Sequence, residues 1–123
     1  MPKIDNTNAP RFDIPGVTFT TIAAPSRGSS ENVVWRARVA PGEGRLHQVT
    51  REEIVVALSG NGVVRMGGET FELNPGDAFA IPPFTDFQLG AGGVEAFEAL
   101  VVFPAGGRAV VPGQPAFQPP WSI

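Results

Sequence analysis

The chain has a single histidine, His47, six residues ahead of Glu53 in the stretch HQVTREEIVVALSGNG. An imidazole titrates near neutrality and ligates metals, while a carboxylate can ligate a metal, orient the imidazole or carry a proton itself. Three chemistries are therefore open to the pair: part of a metal site, an acid–base couple without metal, or a buried polar contact with no reactive role. Burial raises the pKa of a carboxylate and lowers that of an imidazole, whereas proximity of the two raises the imidazole value, so either group can come to titrate near pH 7. A carboxylate bonded to the ring would also fix which nitrogen acts as the base.

The rest of the composition narrows the choices. With no cysteine there is no disulfide, no thiolate ligand and no thiol nucleophile. The net charge is −3, Lys3 is the only lysine and the arginines are scattered, so no basic stripe exists to neutralise a phosphate backbone, and nucleic acid is not expected as a partner. There is no tyrosine, so a pocket lined by the nine phenylalanines and two tryptophans has no phenol as donor or proton carrier. No apolar run reaches the length of a membrane span, so no membrane partner is expected. The beginning, MPKIDNTNAPRFDIPG, lacks a basic end followed by an apolar stretch, and a cytoplasmic location is expected.

The elements that must position His47 and Glu53 read as strands. A chain of 123 residues is one domain in length. Residues 1–30 form a Pro-rich arm with one plausible strand at VTFTTIA, 31–104 form the core, and 105–123 form a Pro-rich tail. NVVWRARVA alternates Val33, Trp35, Ala37 and Val39 against Arg36 and Arg38, the period of a half-buried strand. EEIVVALSGNG ends in Asn61-Gly62, a pair suited to a tight hairpin turn, and Asp77 in NPGDAF reads as a turn residue. In VEAFEALVVF the row Phe97, Ala99, Val101 and Phe103 is taken as inward and Glu98, Leu100 and Val102 as outward. Trp121 in the tail is expected to cover a sheet edge or a neighbouring subunit. Short strands between glycine turns, with no helical stripe, predict an all-β sandwich or barrel.

Two segments carry a more specific signal. PGEGRLHQVTREEIVVALSGNG resembles the first motif of the cupin superfamily: Gly42 leads in, His47 falls on the first histidine of its His-x-His pair, Glu53 on its glutamate and Gly60 on its closing glycine. GGETFELNPGDAFAIPPFTDF resembles the second motif, with its Pro-Gly-Asp turn and Ile-Pro strand end. The resemblance implies a single-domain cupin-like β-barrel, a double-stranded β-helix or jelly roll, of the small cupin-2 kind. It also implies that two histidines, the glutamate and a last histidine would hold a metal. Here Val49 replaces the second histidine, Phe87 the last one, and Phe84 the usual glycine of the second motif. A catalytic zinc needs three protein ligands and a facial iron site two histidines plus a carboxylate, so a three-histidine metal dioxygenase is ruled out by the count alone. No cofactor is expected; a divalent metal would have to use His47 and Glu53 with oxygen donors such as Asp86 or Gln48.

If His47 faces the lumen, Val49 shares its face, and Glu53, Val55 and Ala57 form the matching row on the next strand. The alternate row, Ile54, Val56 and Leu58, is equally apolar and calls for a cover, either a second sheet or a partner copy; a homodimer is expected. Trp35, Val49, Val55, Phe87, Phe97, Val101 and Phe103 then become the substrate-binding walls around catalytic His47 and Glu53, an apolar pocket with few polar groups. Packing alone is the bland account of these aromatics, and a satisfied polar contact that of the His/Glu pair. Arg36 and Arg38 belong to a solvated face, or to an anion clamp if the parity is reversed. The function expected is an isomerase, cyclase or lyase acting on a small, mainly apolar molecule. A non-catalytic binding or sensor protein, and a metal enzyme with unusual oxygen ligands, are the alternatives.

Overall fold

The computed structural model describes residues 2–123. Among the described residues there are eleven strands: β1 (Arg11–Ile14), β2 (Val17–Ala23), β3 (Asn32–Val39), β4 (Gln48–Val49), β5 (Glu53–Ser59), β6 (Gly62–Met66), β7 (Glu69–Leu73), β8 (Ala78–Ile81), β9 (Phe87–Ala91), β10 (Phe97–Pro104) and β11 (Ala109–Val110). The helical elements among the described residues are two short 3-10 turns, Pro25–Arg27 and Pro120–Ser122. None is long and apolar enough to cross a membrane.

The strands build an all-β jelly roll of two facing walls. One wall is a six-stranded antiparallel sheet in the order β1-β2-β3-β10-β5-β8. The other starts as β7-β6-β9 and is continued past β9 by the segment 42–49, through bridges Gly42 to Ala91 and His47 to Phe87, and then by β4 paired with β11. The rows read from the period of two are the rows that meet between the walls. Val33, Trp35, Ala37 and Val39 of β3, Phe97, Ala99, Val101 and Phe103 of β10, and Glu53, Val55 and Ala57 of β5 are all buried. On the outside, Arg36 and Arg38 meet Glu98 at 3.2 and 3.5 Å. The chain therefore enters with a hairpin that the sequence reading did not separate, β1 to β2, turned by Pro15-Gly16 with Gly16 at φ 83° as a type II turn requires.

Three expectations are corrected. Asn61-Gly62 does not close a hairpin: β5 pairs with β10 and β8, whereas β6 pairs with β7 and β9, so the link carries the chain from one wall to the other. Gly60 supplies the positive φ there, and Gly62 is a strand residue on which the Phe97 ring lies, 2.5 Å from where a Cβ would stand. The true two-residue turn, Gly67-Gly68, joins β6 to β7 with both residues at positive φ. The row Ile54, Val56 and Leu58 is not covered by the second sheet, which packs on the other face of β5; it stays half-buried outside, beside Leu100 and Val102. Trp121 does not cover an edge, because the tail turns it inward against Phe19 and Trp35. Phe84, at the usual glycine position of the second motif, has a left-handed backbone at φ 54°, a strain of about 1 kcal/mol or more for a residue with a Cβ.

Candidate active site

A cavity of about 230 Å³ lies between the walls. Its position depends on a close backbone approach. A Cβ on Gly44 would fall 1.8 Å from the carbonyl oxygen of Leu89, and one on Gly90 2.3 Å from that of Gly42, so glycine at both positions lets the 42–49 segment lie against β9. Gln88 Nε2 donates to the Gly44 carbonyl at 2.9 Å and fastens the contact. His47 is thereby set beside Phe87, ring centroids 4.3 Å apart, and faces the cavity. Glu53, the first residue of β5, reaches the same cavity from the opposite wall.

The two groups are not a bonded couple: of the two roles open to Glu53, orienting the imidazole or acting as a second acid, the first lacks the contact it requires. His47 Nδ1 lies 2.8 Å from the Arg45 carbonyl oxygen, so the neutral ring donates Nδ1–H there and keeps its lone pair on Nε2. Burial lowers the His47 pKa; the Arg45 carbonyl works against this and the Arg45 charge adds to it. The Glu53 carboxyl makes no hydrogen bond among the described residues, and burial alone pushes its pKa up to about 7. The environments thus favour a neutral base on one wall and a neutral acid on the other.

Of the expected walls, Trp35, Val49, Phe87, Val101 and Phe103 line the cavity together with His47 and Glu53. Val55 and Phe97 do not: both are buried, but Phe97 is turned onto Gly62 and Val55 packs within the core. The sequence reading missed Phe19, Arg45, Leu89, Phe117 and the inward role of Trp121. The alternation Val17, Phe19, Thr21 was a signal for Phe19; nothing local marked Trp121. Its ring stacks on Phe19 at 3.7 Å and 4°, meets Trp35 edge-on at 6.4 Å, and is anchored where Thr21 Oγ1 donates to its carbonyl at 2.7 Å.

The residues present do not fit the metal of the two-motif site. Val49 and Phe87 put apolar groups where ligands would stand, and the buried polar atoms left without partners beside the cavity are the indole N–H groups of Trp35 and Trp121, donors that cannot ligate. Gln48 and Asp86, the oxygen donors considered from the sequence, bond to each other at 2.9 Å and do not line the cavity. Among the described residues no group of three His, Cys, Asp or Glu is placed to hold a metal.

Solved structures with this fold include the polyketide cyclase RemF from Streptomyces resistomycificus, at TM-score 0.79 and 20% identity over 94% of this chain and 87% of that one. KdgF from Halomonas sp. superposes at TM-score 0.68 with 23% identity, covering 82% and 92% of the two chains. A salicylate 1,2-dioxygenase from Pseudaminobacter salicylatoxidans gives TM-score 0.69 and 22% identity over 86% of this chain but 33% of that one. At these identities the likeness is one of fold. The sequence has no match among the curated proteins. The family model for the cupin domain matches residues 35–103, from the Trp35 strand through both motifs to Phe103, and the chain belongs to the cupin family.

Proposed function

We propose that this protein is a small-molecule enzyme of isomerase, cyclase or lyase type, moving protons on a mainly apolar carbonyl compound without a metal. The observation that carries this reading is a pair of titratable groups on facing walls of one cavity, shifted in opposite senses and not bonded to each other. His47 Nε2 takes a proton from the carbon next to the carbonyl, and the Glu53 carboxylic acid gives its proton to the carbonyl oxygen. The products of that step are an enol, an imidazolium and a carboxylate. Reprotonation at another carbon isomerises the substrate, attack of the enol carbon on a second carbonyl closes a ring, and expulsion of a group at the β carbon is a lyase reaction. The fold likeness to a polyketide cyclase supports the ring-closing member of this set. Acid–base catalysis of this kind contributes about 10²- to 10⁴-fold, and the aromatic walls hold the substrate in register with both groups.

The test needs no natural substrate. An aromatic methyl ketone such as acetonaphthone is incubated with the protein in heavy water, and loss of its methyl proton signal is followed by NMR. The wild type is expected to accelerate exchange, and His47→Ala, its fold checked by circular dichroism, to lose about 10²-fold or more of that rate. Exchange unchanged in His47→Ala overturns the mechanism. Saturable ketone binding with no exchange would leave the cavity as a binding site only.

A further inference from the structure

Four ionisable residues line the cavity: Glu43, Arg45, His47 and Glu53. Glu43 is engaged, its carboxylate 3.5 Å from the Arg65 guanidinium. His47 and Glu53 are both biased towards their neutral forms by burial. Arg45 is exposed at the open end and has no carboxylate within 4 Å among the described residues, unlike Arg36, Arg38 and Arg65. Other exposed residues that line the cavity include the apolar Ile14 and Phe117, each 37% exposed, and the Arg65-paired Glu43. The cavity therefore has a greasy interior of stacked and edge-on aromatic rings and one uncompensated cation at its mouth.

We infer that the cavity takes an amphipathic acid, with a flat apolar body among Phe19, Trp35, Phe87 and Trp121 and a carboxylate or phenolate group held at the mouth by Arg45. This rests on the reading of the cavity as a small-molecule site and adds to it the charge and the orientation of the ligand. A guanidinium matches a carboxylate in a forked, charge-assisted pair, whose worth grows as apolar cavity residues keep water away. The opposite orientation is disfavoured, because an anion driven inward meets Glu53, which has no partner among the described residues and gains a costly negative charge as it ionises. Arg45 thus has two separate roles: its backbone carbonyl fixes the tautomer of the base, and its side chain selects the ligand that the base meets. Substitution of the side chain leaves the carbonyl in place, so the second role can be tested apart from the first.

Both tryptophans of the chain line the cavity, so their fluorescence reports occupancy directly. Naphthoate and naphthamide, equal in shape and different in charge, are titrated at pH 7 into the wild type, Arg45→Gln and, as a control at an exposed arginine away from the cavity, Arg51→Gln. The expected result is about tenfold tighter binding of naphthoate than naphthamide by the wild type and by Arg51→Gln, shrinking as salt is added, and equal binding of the two by Arg45→Gln. Equal affinities in the wild type, or a preference that survives Arg45→Gln, overturn the inference while leaving the cavity as a site. If neither probe binds, both the inference and the reading of the cavity as a small-molecule site are overturned.

Discussion

Glu53 is a buried carboxyl with no hydrogen bond among the described residues, and its pKa of about 7 against an ordinary 4.5 makes a quantitative claim about folding. Between those values the native state holds the proton more tightly than the unfolded chain does, so stability is fully present below pH 4.5 and declines as the pH rises to about 7, then levels off. A separation of that size corresponds to roughly 3 kcal/mol lost by pH 8, at 1.36 kcal/mol per pKa unit. That is a large part of the 5–15 kcal/mol typical of a domain. Glu53→Gln removes the ionisation while keeping shape and polarity. Urea unfolding followed by tryptophan fluorescence from pH 4.5 to 9 should show the variant within about 1 kcal/mol of the wild type at the acid end and about 3 kcal/mol more stable at pH 8. His47, whose pKa is lowered, contributes with the opposite sign, losing stability as the pH falls through its range, but it is present in both proteins and cancels from their difference. Parallel curves for the two proteins would refute the assignment of Glu53 as an unpartnered buried acid.

Because His47 is the only histidine, its ring proton resonance can be titrated without ambiguity; the midpoint should fall below 6.5, and rise in Arg45→Gln as the neighbouring positive charge is removed. A midpoint at or above the ordinary value would contradict a desolvated ring. Gly62→Ala should lower stability by about 1–3 kcal/mol, because the added methyl meets the Phe97 ring, and an unshifted thermal melt would show that the ring has room to move.

Strand periodicity in the sequence was enough to predict the inner faces of β3 and β10, because an alternation of two assigns side chains to faces without knowing which strands are neighbours, whereas both rows of β5 are apolar and the resemblance chose the inner one. The two motifs gave the fold, and the single histidine set an upper limit on metal chemistry that no folding could relax. Partnership was a different matter. Whether Asn61-Gly62 turns back in a hairpin or crosses between walls depends on pairing with β9 and β10, some thirty residues further on, which local turn preference cannot weigh. His47 and Glu53 share a lumen, as the resemblance implied, but the imidazole proton goes to the carbonyl of Arg45, two residues away, and leaves the carboxyl alone. Trp121 enters the cavity through a contact with Thr21, a hundred residues earlier in the chain. Residue types and their period are local properties and could be read directly; who bonds to whom, and where space is left empty, are decided by close packing of distant segments, and only the folded chain contains that information.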